Sequence, residues 1–265
     1  MTDLPAIATS LERESPLRCL HLVHRNFLVW RKLMLTSMIG NLAEPLIYLI
    51  GLGYGIGALV GSIDGRPYIT FLAAGMICYS TMNSASFEAL YSAFARLQIQ
   101  RTWEGILHAP MTTDDVVLGE WLWAGLKALF SGTAILLVMY AFGIVQGIAP
   151  LAVLPVALLV GLAFAGIALV MTALAKSYDF FTYYFVLLVT PMTFLSGIYF
   201  PLRQLPEVAQ TVAWFLPLAH AASLARGLTL GDPMPWPLLS IAVLLAYGIV
   251  GVTLAAWLVR RRLSR

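Results

Sequence analysis

The chain has 265 residues, of which 60% are hydrophobic and 11% charged, and its mean hydropathy is +0.85. Soluble globular domains carry about 25% charged residues, so this composition excludes a water-soluble enzyme with a polar shell, a disordered tail and a disulfide scaffold. The net charge of +3 is too small to point to nucleic acid, and Cys19 and Cys78 have no metal-ligand spacing. Spans of about 20 apolar residues leave room for six membrane helices with their connections.

Residues 1–33 scatter Asp3, Glu12, Arg13, Glu14, Arg18, Arg25, Arg31 and Lys32 and contain no uninterrupted apolar run. That is not the pattern of a cleavable signal. Residues 17–34 read as an amphipathic helix, with Leu20, Val23, Phe27, Trp30 and Met34 on one side. Arg18, His21, Arg25 and Lys32 fall opposite. Such a helix lies in the headgroup layer or packs on a partner, and both readings stand. His21 and His24 read as polar-face residues, since no third metal ligand is near them.

Charge-free stretches at 45–63, 67–87, 128–175, 180–202 and 233–259 locate the spans. With flanks they predict helices at 37–60, 68–93, 116–142, 150–175, 179–199 and 237–259. Gly143, Gly147 and Pro150 break the long stretch, because Gly ends helices and Pro starts them. If both termini share a side, twelve Lys and Arg residues lie there and Arg66, Arg203 and Arg226 lie on the other, with Lys127 inside a span. The positive-inside rule then puts both termini in the cytoplasm. No internal repeat supports an inverted-repeat transporter. The expected domains are an N-terminal cytoplasmic segment (1–36), a transmembrane domain (37–260) and a basic cytoplasmic tail (261–265).

Two connections differ from ordinary loops. Residues 94–115 contain a short helix stopped near Pro110, then Thr112 three before Asp115, a capping-box-like start for the third span. This segment is either a docking helix that passes motion to two spans or a solvated linker. Residues 199–236 are mostly apolar, yet Pro201, Pro206 and Pro217 cut them into pieces too short to span. Re-entrant or interfacial helices in the outer leaflet fit that pattern.

Ionisable groups in hydrocarbon are costly, so those inside spans face protein or water. Ser37, Asn41, Glu44 and Tyr48 form one stripe, and Ser80, Ser84, Glu88 and Tyr91 another. Asn41, Glu44, Tyr48, Ser84, Glu88 and Tyr91 are therefore candidates for a translocation path, with satisfied interhelical contacts as the alternative. Glu120 and Lys127 stand about 10 Å apart along one helix, too far for a direct bridge, so each needs another partner. Phe180, Phe181, Tyr183, Tyr184 and Phe185 form an interfacial aromatic belt or a stacking surface.

There is no G-x-x-x-x-G-K-[ST] loop, H-E-x-x-H, G-x-S-x-G or C-x-x-C, so any ATP hydrolysis belongs to another polypeptide. The run from Arg101 through Glu104 and Leu107 to Pro110 resembles the cytoplasmic coupling segment of ABC-2 exporter permeases. The run Pro191–Pro201, followed by Leu205 and Pro206, resembles that family's fifth span and its turn into external re-entrant helices. Phe215 to Gly227 continues the likeness, with Leu216 where the family often has Asn. Residues 22–32 and 40–48 are similar to the nodulation-factor export permeases within that family.

The resemblance implies an all-α polytopic bundle of six transmembrane helices with an N-terminal amphipathic helix and external re-entrant helices between spans five and six. It implies a bacterial inner-membrane homodimer above two P-loop ATPase subunits, which bind the ATP and Mg; no cofactor is expected in this chain. Arg101, Glu104, Leu107 and Pro110 become the ATPase-coupling residues, and Ser196, Gly197, Pro201 and Pro206 the external gate. The implied substrate is a lipid-linked or acylated oligosaccharide or similar amphiphile, with hydrophobic drugs or plain lipids as the alternative. Membrane lipids are the remaining expected partner; an intramembrane enzyme or a scaffold fits the residues less well.

Overall fold

A computed structural model describes residues 18–263. Residues 1–17 of the expected N-terminal segment, Ser264 and Arg265 of the expected tail, and the side chain of Asn41 lie outside the described residues. The described chain is helical apart from one tight hairpin. In order it forms α1 (Arg18–Arg31), α2 (Met34–Val60), α3 (Tyr68–Phe87), α4 (Thr102–Leu107), α5 (Thr113–Ala141), α6 (Val153–Leu174), α7 (Phe180–Leu195), α8 (Glu207–Ala213), α9 (Pro217–Leu230) and α10 (Pro237–Leu263). The α3 helix runs on through π-helical turns at Glu88–Ser92 and Ala95–Ile99.

Local chemistry sets most of the ends. Thr112 and Asp115 form a complete capping box at the start of α5, as the spacing predicts. Gly143 and Gly147 both adopt positive φ, and Pro150 sits in the 3₁₀ turn Ala149–Ala152 that leads into α6. The break expected there is therefore present. Leu216 supplies no side-chain cap to α9, which starts instead with Pro217 in its first turn. Ser62–Ile63 pairs with Arg66–Pro67 around Asp64 and Gly65, both at positive φ. That two-residue hairpin turn joins α2 to α3 and was not foreseen from the sequence.

Among the described residues four helices are long and apolar enough to cross a membrane: α2, α5, the helix Ala149–Leu174 that contains α6, and α10. The other two expected spans differ from them. The α3 helix carries Ser80, Thr81, Asn83, Ser84 and Ser86, yet residues 71–86 are buried without a break. It is the centre of the bundle, packed by α2, α5, α6 and α9, so its hydroxyls never meet lipid. The α7 helix, expected over 179–199, ends at Leu195 and is shorter than a full span. The α8–α9 pair is bent by 85° at its break.

Small residues let α6 and α10 cross closely. A Cβ built on Gly251 would lie 2.6 Å from the carbonyl carbon of Gly166, and one on Gly166 would lie 2.9 Å from Gly248 O. Membrane helices associate through such backbone approach, because apolar side chains are no better off against each other than against lipid tails. By contrast α2 lies on the outside, with Leu35, Ile39, Ile47 and Leu59 exposed.

The charged ends sort by position. Arg260 pairs with Asp114 at 2.8 Å, and Arg262 donates to the carbonyls of Thr172 and Ala173. The start of α5, the end of α6 and the basic end of α10 therefore share one end of the bundle. At the other end Arg66 pairs with Asp232 at 2.8 Å, Arg203 pairs with Asp64, and Arg226 donates to Gly197 O. Replacing Gly251 by Leu should cost about 1–3 kcal/mol by overpacking this crossing, whereas Gly55→Ala on the open face of α2 should be neutral. Thermal unfolding of the purified protein in detergent checks both.

Candidate functional site: a buried ion cluster and an aromatic cavity

At the basic end of the bundle, two buried carboxylates meet two part-buried cations. Glu88 is 3% exposed and Glu120 is 1% exposed. Arg96 grips Glu120 with two parallel bonds, Nε to Oε1 at 2.8 Å and Nη2 to Oε2 at 2.5 Å. The same Nη2 donates to Glu88 Oε1 at 2.8 Å, and Lys127 Nζ reaches Glu88 Oε2 at 2.7 Å. Glu120 and Lys127 thus find separate partners, as their spacing on one helix requires. In an α-helix Glu88 and Arg96 would be about 12 Å apart along the axis. The wider π turns shorten that path and turn both residues towards α5.

Neutral donors complete the cluster. Trp123 Nε1 donates to Glu88 Oε1 at 3.0 Å, Trp103 Nε1 to Glu120 Oε1 at 3.2 Å and Asn26 Nδ2 to Glu120 Oε2 at 3.3 Å. Each carboxylate oxygen is therefore occupied, which is what burial of a charge demands. Trp103 belongs to α4, so the short helix expected in the 94–115 connection is present and is pinned by its indole to the cluster. Its outer side presents Arg101 and Glu104, 4.0 Å apart and both exposed, together with His108 and Pro110. Leu107, the expected apolar anchor for a partner, is instead half-buried against the protein's own core.

The docked side of α1 also differs from the expected stripe. Cys19, Leu22, Asn26 and Trp30 are buried, and Leu22 packs so closely on α5 that a Cβ on Gly119 would lie 2.7 Å from it. Leu20 and Met34, which share the apolar side with Trp30 in the sequence pattern, remain exposed. His21 and His24 are exposed on the outer side.

Towards the opposite end, a cavity of about 520 Å³ opens between α2, α3 and α7. Tyr48, Tyr68, Tyr79, Phe194, Tyr199 and Phe200 line much of it. Tyr79 donates its hydroxyl to Glu44 Oε1 at 2.7 Å. Tyr48 stands edge-on to Tyr79 and Tyr199, with ring centres 5.9 and 6.4 Å away. Of the expected path residues, Glu44 and Tyr48 come together here. Glu88 instead belongs to the ion cluster, and Ser84 is buried with its hydroxyl unpartnered. Tyr91 stacks on Phe87 and Tyr178.

The expected gate residues lie in the segment that follows α7. Gly197 has a φ of +73°, and Ser196 bonds back to Met192 O. Pro201 and Pro206 flank the 3₁₀ turn that leads into α8. Arg226, half-buried and 3.9 Å over the Phe71 ring, latches the turn by donating to Gly197 O. The aromatic residues at the start of α7 mostly serve packing: Phe181 and Tyr184 are buried, and Tyr184 bonds Ser86 at 2.8 Å. Sequence reasoning missed Arg96 as the hub, and with it Asn26, Trp103, Tyr79, Tyr199 and the latch made by Arg226. The signal within reach was that two charges in one span each required a partner.

Lys127→Met should destabilise the protein by about 3–5 kcal/mol, since it leaves the cluster with an unbalanced buried carboxylate. Adding Glu88→Gln should recover part of that loss, because Arg96 and Glu120 still neutralise each other. Melting temperatures of the single and double variants check the order.

The sequence profile of the ABC-2 type transporter family matches residues 18–230. The chain is 49% identical over 239 residues to Nodulation protein J of Rhizobium meliloti (strain 1021), covering 90% of this chain and 91% of that protein. It is 50% identical over 241 residues to Nodulation protein J of Rhizobium leguminosarum bv. viciae, covering 91% and 93%. The Inner membrane transport permease YadH of Escherichia coli (strain K12) is 25% identical over 201 residues, covering 76% and 77%. The profile match, the relatives and the apolar helices agree, and the chain belongs to the ABC-2 type transporter family as a multi-pass membrane transport subunit, not an enzyme.

Proposed function

We propose that the chain is the permease of an ATP-driven exporter in a bacterial inner membrane, carrying an acylated or lipid-linked oligosaccharide, or a similar amphiphile, outward. Two copies would form the path, with two copies of a separate P-loop ATPase beneath them. The ATPase would bind ATP and Mg. Both termini, α1 and α4 would face the cytoplasm, consistent with the shared end of the bundle and its basic residues. In this reading α3 and α7 complete six spans, and the bent α8–α9 pair dips back into the outer leaflet.

The observation that carries the proposal is the aromatic cavity beside Glu44. Glu44 is exposed on a membrane-length helix, and an ionised group facing lipid there is costly. A second copy and a wet path between the copies would cover it. Tyrosine faces stack on sugar rings, and a carboxylate accepts their hydroxyl protons. The apolar wall of Leu52, Ile56 and Val189 suits an acyl chain. Similarity to Nodulation protein J favours an acylated oligosaccharide over a drug or plain lipid.

ATP-driven closure would reach the path through α4. Its exposed Arg101 and Glu104 would meet the ATPase, while Trp103 would pass the displacement to Glu120 and so to α3 and α5. Transmission of this kind needs contacts that differ between two states.

Glu44→Gln and Tyr48→Ala should lower substrate export severalfold while the protein accumulates normally in the membrane. Export assays on cells with matched permease levels check this; full activity of both variants would remove the cavity from the path. Glu104→Lys should lower substrate-stimulated ATP hydrolysis of the purified complex without changing the fold, because like-charge contacts at an interface are repulsive. Unchanged stimulation and stoichiometry would make α4 a linker only.

A further inference from the structure

A second cavity, of about 440 Å³, opens at the basic end between α1, the start of α2, the π-helical end of α3 and α5. Glu88, Arg96 and Lys127 form its floor, and with Glu120 behind them their charges cancel. Arg25, on the rim, is surplus to that balance. It donates one Nη1–H to Asn26 Oδ1 at 3.1 Å, and among the described residues no carboxylate pairs with it. Partial burial and the neighbouring Arg96 push its guanidinium below the ordinary arginine range, with Glu120 acting in the opposite direction. Among the described residues Arg25 is left without a bound anion. Val29 and Leu33, 55% and 64% exposed, form an apolar wall beside it.

We propose that this cavity binds the phosphate of an anionic phospholipid, with Arg25 donating its planar fork to the phosphate and Val29 and Leu33 lying along the acyl chains. Arginine is suited to two-point binding of phosphate oxygens. Basic pockets between membrane helices at headgroup depth are matched to anionic lipid heads. Leu28 and Met34, next to Val29 and Leu33 in the chain, are exposed as well, and this exposed apolar surface favours a lipid over a free ion. Arg25 also joins a chain through Asn26, Glu120 and Trp103 to α4. Lipid occupancy and the seating of α4 thus share one hydrogen-bonded path.

The test uses the purified, delipidated full chain in neutral detergent, titrated with phosphatidylglycerol, phosphatidylcholine or inorganic phosphate. Thermal stability and native mass spectrometry are the readouts. Phosphatidylglycerol should bind and stabilise, and the other two should not. Arg25→Gln should weaken phosphatidylglycerol binding about fivefold to tenfold, in keeping with the loss of one cation near a charged leaflet. Lys32→Gln, on the same segment but outside the cavity, should bind as the parent does. Leu33→Glu, at an exposed position that folding tolerates, should also repel the lipid, so the proposal stays testable if Arg25→Gln does not fold. Equal binding of phosphatidylglycerol by the parent, Arg25→Gln and Leu33→Glu would overturn the proposal. So would equal stabilisation by phosphatidylcholine, and stabilisation by inorganic phosphate alone would replace it with a free-anion site.

Discussion

Two carboxylates and two cations buried in a membrane bundle hold together only as a closed set, and that closure constrains everything near it. Arg96 is the hub, bound to Glu88 and to both oxygens of Glu120, while Lys127 completes the balance on Glu88. The net contribution of such a set to stability is small, because desolvation offsets most of the attraction. Its consequence is specificity. The π turns of α3, the register of α5 and the docking of α1 through Asn26 must all be as they are for the oxygens to be satisfied. A bundle held mainly by Leu, Val and Ala side chains could slide by a turn at little cost; this one cannot do so without exposing a charge to hydrocarbon.

The two ends of the molecule use different physics. At the basic end, α4 is a short helix whose geometry comes from its neighbours rather than its own propensity, since so few residues are marginal alone. Trp103 seats it. At the other end, the turn after α7 is held by Arg226 donating to a backbone carbonyl and by the positive φ of Gly197. Between these anchored ends, the face formed by α2 and α7 carries the aromatic cavity and little packing of its own.

Four of the six expected spans, the break at Gly143–Pro150, the capping box at Thr112 and the short helix before Pro110 were legible in the sequence. Each depends on a local rule: the length of an apolar run, the conformational freedom of glycine, a hydroxyl three residues before a carboxylate. The need for separate partners at Glu120 and Lys127 was legible too, because helix geometry alone forbids their pairing. The resemblance of the 101–110 and 191–206 segments pointed to the family.

What only the tertiary structure decided was which partners those charges take and which faces turn inward. Arg96 looks like one more basic residue in a polar connection until α3 and α5 are placed side by side. The polar α3 becomes the most enclosed helix because its neighbours shield its hydroxyls from lipid. The docked side of α1 is set by the close approach that Gly119 permits, not by the widest apolar stripe. Two polar stripes of the same period go to different places: Tyr48 to an open cavity, with Glu44 bonded to Tyr79 beside it, and Glu88 to an ion cluster. Composition and periodicity determined that this chain is a bundle of membrane helices, because they report how each segment meets its solvent. Pairing of buried charges depends on distances between segments far apart in the chain, and those exist only once the helices have packed.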